Sequence, residues 1–348
     1  MDPCITNCMS LNGWIQARRA VPEQDNPTDD PQVHKQNVLA RRAAVRDQFK
    51  EFDLPLLVDE IPLPDVRLGL KFFYGTLFGA EVADDGAVTT HPWERFNSAA
   101  EIEDIEVPDI ESEPEFQEAL SRYQDVASRY NGVYDDRIVG FMLCQGEKAV
   151  FTTVNMAFHL IGQRIYEDMY VNPEFAHAVY KKCGEIQHHY IAVKERVEGR
   201  ATTHVYLGEC CNTMLSPKCY EEFCLPHAVE AMKRYGTMEM HNCGVVTQHL
   251  GIIPQIGSNF RWIELGWGTD LEHAREHLGD HCLLPRFGVT IMQEWEPAQV
   301  YTHMRKVLDA LAHDGPVGIH SNCINAERTS EEALRAVFRA AEDSRKAG

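Results

Sequence analysis

Three short segments of the sequence carry residue types that bind metals: Glu209-Cys210-Cys211, His241-Asn242-Cys243 and His320-Ser321-Asn322-Cys323. Each directly follows a run that reads as a β-strand, His204-Val205-Tyr206-Leu207, Thr237-Met238-Glu239-Met240 and Val317-Gly318-Ile319. His241 and Cys243 stand two apart, and in a strand-to-loop turn positions i and i+2 can face one centre. Cys323, from another strand end, would complete a His-Cys-Cys set. Zinc takes imidazole nitrogen and thiolate sulfur in a tetrahedron, and a catalytic zinc keeps the fourth place for an exchangeable ligand. Two thiolates and a neutral imidazole leave the ion nearly neutral, so that it binds and ionises a substrate thiol while the sulfur stays nucleophilic. On spacing alone a second reading stays open, in which His241 is a hydrogen-bonded core histidine and both cysteines are buried thiols.

The elements that must position these residues follow a rhythm. His204 to Leu207 precedes a helix from Ser216-Pro217 to near Gly236, and Thr237 to Met240 precedes a helix to about Ile256. Arg261-Trp262-Ile263-Glu264-Leu265 precedes a helix to Leu278, Cys282 to Phe287 precedes a helix from Pro297 to His313, and Val317 to Ile319 precedes a helix from Thr329 to Ala341. Strand and helix alternating in this way predict a parallel sheet. With the polar residues gathered at strand C-terminal ends, they predict an α/β protein of the (β/α)8 TIM-barrel kind, whose strand ends converge on one functional face. No Gly-rich phosphate fingerprint follows a strand, which disfavours an open nucleotide-binding sheet.

The first three units are expected between residues 54 and 200, where the pattern is blurred. Residues 1–34 read as a polar, Pro/Asp-rich arm and 35–50 as a helix, so that 1–50 forms a helical or irregular N-terminal extension and 51–348 a single barrel. The acidic run from Glu101 to Glu115 reads as a solvated loop. After Asn172-Pro173, a cap and a first-turn proline, the residues Phe175, Val179, Cys183, Ile186, Tyr190, Val193 and Val197 form one apolar stripe. Cys183 therefore belongs to packing.

A chain of 348 residues, 44% hydrophobic, can bury a large core without staples. Its net charge of −20 argues against nucleic acid and membrane surfaces as partners. An anionic substrate would need a local basic pocket. There is no apolar run long enough for a transmembrane helix and no signal-peptide pattern, so a cytoplasmic location is expected. Eleven cysteines in such a chain point to thiols or metal ligands rather than disulfides.

Met240-His241-Asn242-Cys243-Gly244 resembles the His-x-Cys-Gly turn of the methylcobamide:coenzyme M methyltransferases, a branch of the uroporphyrinogen decarboxylase superfamily of barrels. Gly318-Ile319-His320-Ser321-Asn322-Cys323-Ile324, followed by Thr329, resembles that family's last strand and cysteine loop. Leu215-Ser216-Pro217, Tyr220-Glu221-Glu222-Phe223 and Leu225-Pro226-His227 resemble the segment after its acidic strand end. The resemblance covers roughly residues 140 to 345. It implies His241, Cys243 and Cys323 as zinc ligands. Glu209, standing where the family tends to carry aspartate, is implied as a fourth ligand or as a catalytic base near the thiol.

The implied reaction is methyl transfer between a corrinoid, methylcobalamin, and a small thiol. The corrinoid-binding signature Asp-x-His-x-x-Gly is absent, since Asp270-Leu271-Glu272-His273 has the wrong spacing. The cofactor would therefore arrive on a corrinoid-binding partner protein or free in solution. An acceptor bearing a sulfonate would need a basic contact, for which Arg286 at a strand end is the candidate. Cys210 and Cys211 could substitute as ligands, but adjacent residues rarely both reach one metal, so they read mostly as packing; His320 reads as structural or supporting, and His159, His188, His189, Cys4 and Cys8 as chemically silent.

Two enzymatic alternatives remain. Uroporphyrinogen decarboxylase itself would need an arginine-rich stretch of the kind Arg-Gln-Ala-Gly-Arg-Tyr near the N-terminus, whereas this chain has Ile15-Gln16-Ala17-Arg18-Arg19-Ala20. That enzyme also needs no metal, which leaves a His-Cys-Cys set unexplained. The other alternative is a demethylating methyltransferase that moves methyl from an ether or amine donor onto a corrinoid. A non-enzymatic barrel would carry a structural metal or none.

Overall fold

In a computed structural model, residues 4–5, 30–52, 63–68, 75–81, 83, 89–134, 138–142, 150–319 and 328–347 are described. His320, Cys323 and Cys8 lie outside them. The strands in chain order are β1 (Cys4–Ile5), β2 (Asp65–Arg67), β3 (Gly140–Met142), β4 (Val150–Phe151), β5 (Val205–Gly208), β6 (Met238–His241), β7 (Phe260–Leu265), β8 (Leu283–Pro285) and β9 (Gly318–Ile319). The chain divides into two compact units, one of residues 1–62, 243–250 and 261–348, the other of residues 63–242 and 251–260.

In the second unit β2 pairs with β3, β4 with β5 and β5 with β6, all in parallel. Parallel neighbours need a long crossover, and helices supply it. Among the described residues the helix Pro173–Glu198 is the longest. Pro173 fits its first turn, and it stops at Gly199, whose φ of 63° is the left-handed conformation that glycine adopts without a steric penalty. The expected stripe is buried from Phe175 to Val193, with Val197 half-buried. Each aliphatic side chain so removed from water stabilises the fold by about 1.5–3 kcal/mol. Asn172 does not cap through its side chain; its Nδ2 donates instead to the Asn97 carbonyl at 3.1 Å. At the far end Lys194 and Glu198 form a buried ion pair at 2.6 Å, and Glu198 also accepts from the Phe141 N–H at 2.8 Å, tying the helix to β3.

The run from Ser216 to Gly236 is helical as expected, and Ser216 caps it by accepting from the Cys219 N–H. A π turn over Tyr220–Cys224 leads into the helix Leu225–Tyr235. Pro226 is the physical reason: it has no N–H to donate and its ring crowds the preceding turn. The acidic run is more structured than a solvated loop. Ser98 and Glu101 cap the helix Ala99–Glu103 reciprocally, and Ile102 and Ile110 are buried, anchoring the run.

In the first unit β7 pairs in parallel with β8, and β9 with β1. The first strand therefore begins inside the segment expected to be an arm. The N-terminal helix starts at Pro31, before the expected residue 35, because Asp30 caps it and Pro31 fits its first turn. Helices Leu271–Leu278, Val289–Glu294, Pro297–Leu311 and Glu331–Ala347 alternate with these strands. After β6 the expected helix to Ile256 does not form. Gly251 and Pro254 interrupt the run, and two 3-10 turns, Thr247–His249 and Ile253–Ile256, take its place. Among the described residues no helix is long and apolar enough to cross a membrane.

Candidate metal centre

The site is built where β5 and β6 end. Gly208 stands opposite His241 in the ladder, and the Glu209 N–H donates to the His241 carbonyl at 2.9 Å, so the two strands exit side by side. The chain then enters the 3-10 turn Cys210–Met214. Two hydrogen bonds hold that turn. The Cys211 N–H donates to Asn155 Oδ1 at 2.9 Å, and Asn212 Nδ2 donates to Asn242 Oδ1 at 3.0 Å with both amides buried. Tyr206 stacks on the His241 ring, with centroids 5.5 Å apart and planes at 23°.

The result is that Cys210 Sγ lies within 4.8 Å of a His241 ring nitrogen, and Cys243 Sγ, two residues further along the chain, belongs to the same group. Cys210 and His241 are half-buried and Cys243 is exposed. Sulfur, nitrogen and sulfur in this arrangement are the donor set that zinc favours.

Of the residues singled out in the sequence, His241 and Cys243 come together. Cys323 lies outside the described residues. Glu209 is not part of the group: its side chain is buried at 1% exposure against Asn212 and Tyr220. Burial pushes its carboxyl up to about 8, and the hydrogen bonds of Tyr220 and Asn212 pull in the opposite direction. Its Oε2 has no hydrogen-bond partner among the described residues.

Cys210, expected to be packing, stands instead with His241. Adjacent residues in a tight turn point apart, and Cys211 turns to the Tyr166 hydroxyl. Sequence alone pairs the two cysteines and hides this divergence, which arises in the turn Cys210–Met214, where the Cys211 N–H is held by Asn155.

Arg286 follows β8 directly. Its Nη1 donates to Cys243 Sγ at 3.4 Å, and its Nε meets the fully buried Glu264 carboxylate on β7 at 3.1 Å. A cation thus lies against a candidate ligand sulfur, its guanidinium oriented by a buried carboxylate. Close approach of backbone makes room for the Cys243 turn: a side chain at Gly266 would be driven into the Gly244 carbonyl.

Cys183, His159, His188 and His189 are not members of this group. Burial pushes the Cys183 thiol up, and burial, with His91 nearby, pulls His159 down to about 4. His188 is held neutral chiefly by burial and bonds the Tyr235 hydroxyl at 2.7 Å, while His189 is exposed.

Residues 78–344 match the family described as Uroporphyrinogen decarboxylase (URO-D). A protein named uroporphyrinogen decarboxylase from Chlorobium luteolum is 27% identical over 322 residues, covering 86% of this chain and 83% of that protein. Among solved structures, a methyltransferase from Methanosarcina mazei superposes with a TM-score of 0.57 at 14% identity, over 98% of this chain and 93% of the other. At that identity the superposition establishes the fold, a (β/α)8 TIM barrel, which agrees with the parallel strands and alternating helices. With the family match spanning most of its length, this chain belongs to the uroporphyrinogen decarboxylase (URO-D) family.

Proposed function

We propose that this member of the family is a zinc-dependent methyltransferase that transfers methyl between a methylcobamide and a small thiol. The observation that carries the proposal is the nitrogen and sulfur group at the β5 and β6 exits. In a family that includes decarboxylases working without a metal, such a group is unexplained unless a soft cation binds there. His241, Cys243 and Cys323 would hold the ion, and Glu209 is the candidate acid–base group beside it. Zinc so held would lower the pKa of a bound thiol, making thiolate available at neutral pH.

The chain's own residues supply the rest. Tyr206 fixes the plane of the His241 ring, and Arg286 offers a cation to an acidic group on the thiol, its guanidinium held by Glu264. The corrinoid would come on a separate corrinoid-binding protein. Residues 51–348 would act as one barrel, with 1–50 as its extension. The C. luteolum relative favours uroporphyrinogen decarboxylation as the second reading.

One experiment separates the two. The protein is mixed with methylcobalamin and a panel of thiols, and with methoxylated aromatics or methylamines and cob(I)alamin, and the corrinoid spectrum is followed. A metal-dependent change with a thiol is expected; a change only with ethers or amines would reverse the direction of transfer. A silent corrinoid spectrum together with turnover of uroporphyrinogen would replace this reading with the decarboxylase.

A further inference from the structure

We propose that Cys210 is itself a metal-binding thiolate of this site, a ligand alongside His241 and Cys243. The inference rests on the zinc reading above and deepens it. Its basis is how Cys210 is held. The Glu209 N–H to His241 carbonyl bond fixes the end of β5 against the end of β6. One residue later, the chain turns under two restraints from outside the turn, Asn155 on the Cys211 N–H and Asn242 on the Asn212 side chain. The Asn212–Asn242 bond joins two buried amides, one from each of the turns that carry a candidate ligand. These bonds fix the backbone on both sides of Cys210 and so set where it stands relative to His241.

The other cysteines make the contrast. Cys183, Cys219 and Cys224 are buried in the core, and Cys211 faces the Tyr166 hydroxyl. Cys210 alone among these brings its sulfur within 4.8 Å of an imidazole nitrogen in a metal-competent group. A thiol in reach of a divalent cation gives up its proton and binds as thiolate. The number of sulfur donors is therefore the quantity to measure.

Cobalt(II) in place of zinc reports it, because the near-ultraviolet thiolate-to-cobalt charge-transfer band grows with each sulfur bound. Wild type, Cys210→Ser, Cys211→Ser and Cys243→Ala are titrated with cobalt and then with zinc against a chelator. Cys210→Ser is expected to lose one thiolate's share of the band and to bind zinc more than about 100-fold more weakly, beyond the loss usual for a supporting residue. Cys211→Ser should match wild type. A Cys210→Ser protein with the wild-type band and affinity overturns the inference while leaving the zinc reading standing if Cys243→Ala loses the metal. A wild type that takes up neither ion overturns both.

Should Cys210→Ser fail to fold, the wild-type protein decides the matter. Iodoacetamide labelling with and without zinc, mapped by fragmentation mass spectrometry, should show Cys210 protected by the metal and Cys211 unaffected. Equal labelling of Cys210 in both conditions counts against it.

Discussion

Arg286 meets two groups of opposite character, the exposed Cys243 sulfur and the fully buried Glu264 carboxylate. A guanidinium presents separate N–H groups to both in a rigid planar fork, a geometry that a lysine ammonium on its flexible stem does not hold. Arg286→Met removes the cation facing a buried charge, and changes of that kind cost about 3–5 kcal/mol. Urea unfolding should show that loss. The double change Arg286→Met with Glu264→Gln should recover part of it, because the buried charge goes with its partner; no recovery would mean that Glu264 is held by other groups. Arg286→Lys keeps the charge but not the fork, and is expected to raise KM for an acidic thiol more than it lowers kcat.

At the level of elements, Arg275 shows how a single side chain can close several ends. It sits on the helix Leu271–Leu278 at 2% exposure, and donates to the carbonyls of Leu311 at 2.9 Å, His281 at 2.9 Å and Pro316 at 3.2 Å, and to that of Gly279. Those of Leu311 and Gly279 lie at helix ends, where the last carbonyls have no helical N–H partner, and those of His281 and Pro316 lead into β8 and β9, the Pro316 carbonyl also accepting from the Leu283 N–H at 3.0 Å. Arg275→Lys reaches fewer of them, and each buried carbonyl left without its donor costs about 1–3 kcal/mol. Thermal unfolding should fall accordingly, and an unchanged Tm would show that water replaces the fork.

Arg275 was not legible as such, because a helical arginine in sequence reads as surface. Strand ends were legible, since β-branched and apolar runs stop abruptly at Glu209, His241 and Arg286. The long helix after Pro173 was legible from its stripe. The segment after β6 was not, because its apolar residues keep helical spacing while Gly251 and Pro254 break the backbone. The nearness of Cys210 to His241 was not legible either, because adjacent cysteine letters do not encode which way each side chain leaves the turn Cys210–Met214.

For the whole molecule, acid is the expected weakness. Burial is the first cause that holds His159, His188, His227 and His303 below their ordinary value of 6.5, with His159 at about 4. In the unfolded chain these rings take up protons as the pH drops through 6.5, whereas in the folded protein they do so only lower down. The unfolded state therefore binds more protons in that window. The contribution of these rings is present above pH 6.5 and lost progressively toward pH 4. Unfolding midpoints measured from neutral pH downward should fall through this range, and His159→Gln should lessen the slope. A flat profile would mean that the rings are solvated. The net charge of −20 adds a second constraint: any corrinoid-carrying partner would meet a predominantly acidic surface, and a basic docking face on that partner would speed the encounter at low salt.

Gly266 lies beneath the Gly244 carbonyl with no room for a side chain. Anyone grafting this ligand turn onto another barrel, or randomising it to admit a different metal, inherits a requirement at a position outside the turn itself. In a library carrying every residue type at position 266 and sorted for retained metal, glycine should be the survivor. A designer who transplanted residues 240–244 alone would obtain the ligands without the space in which they close.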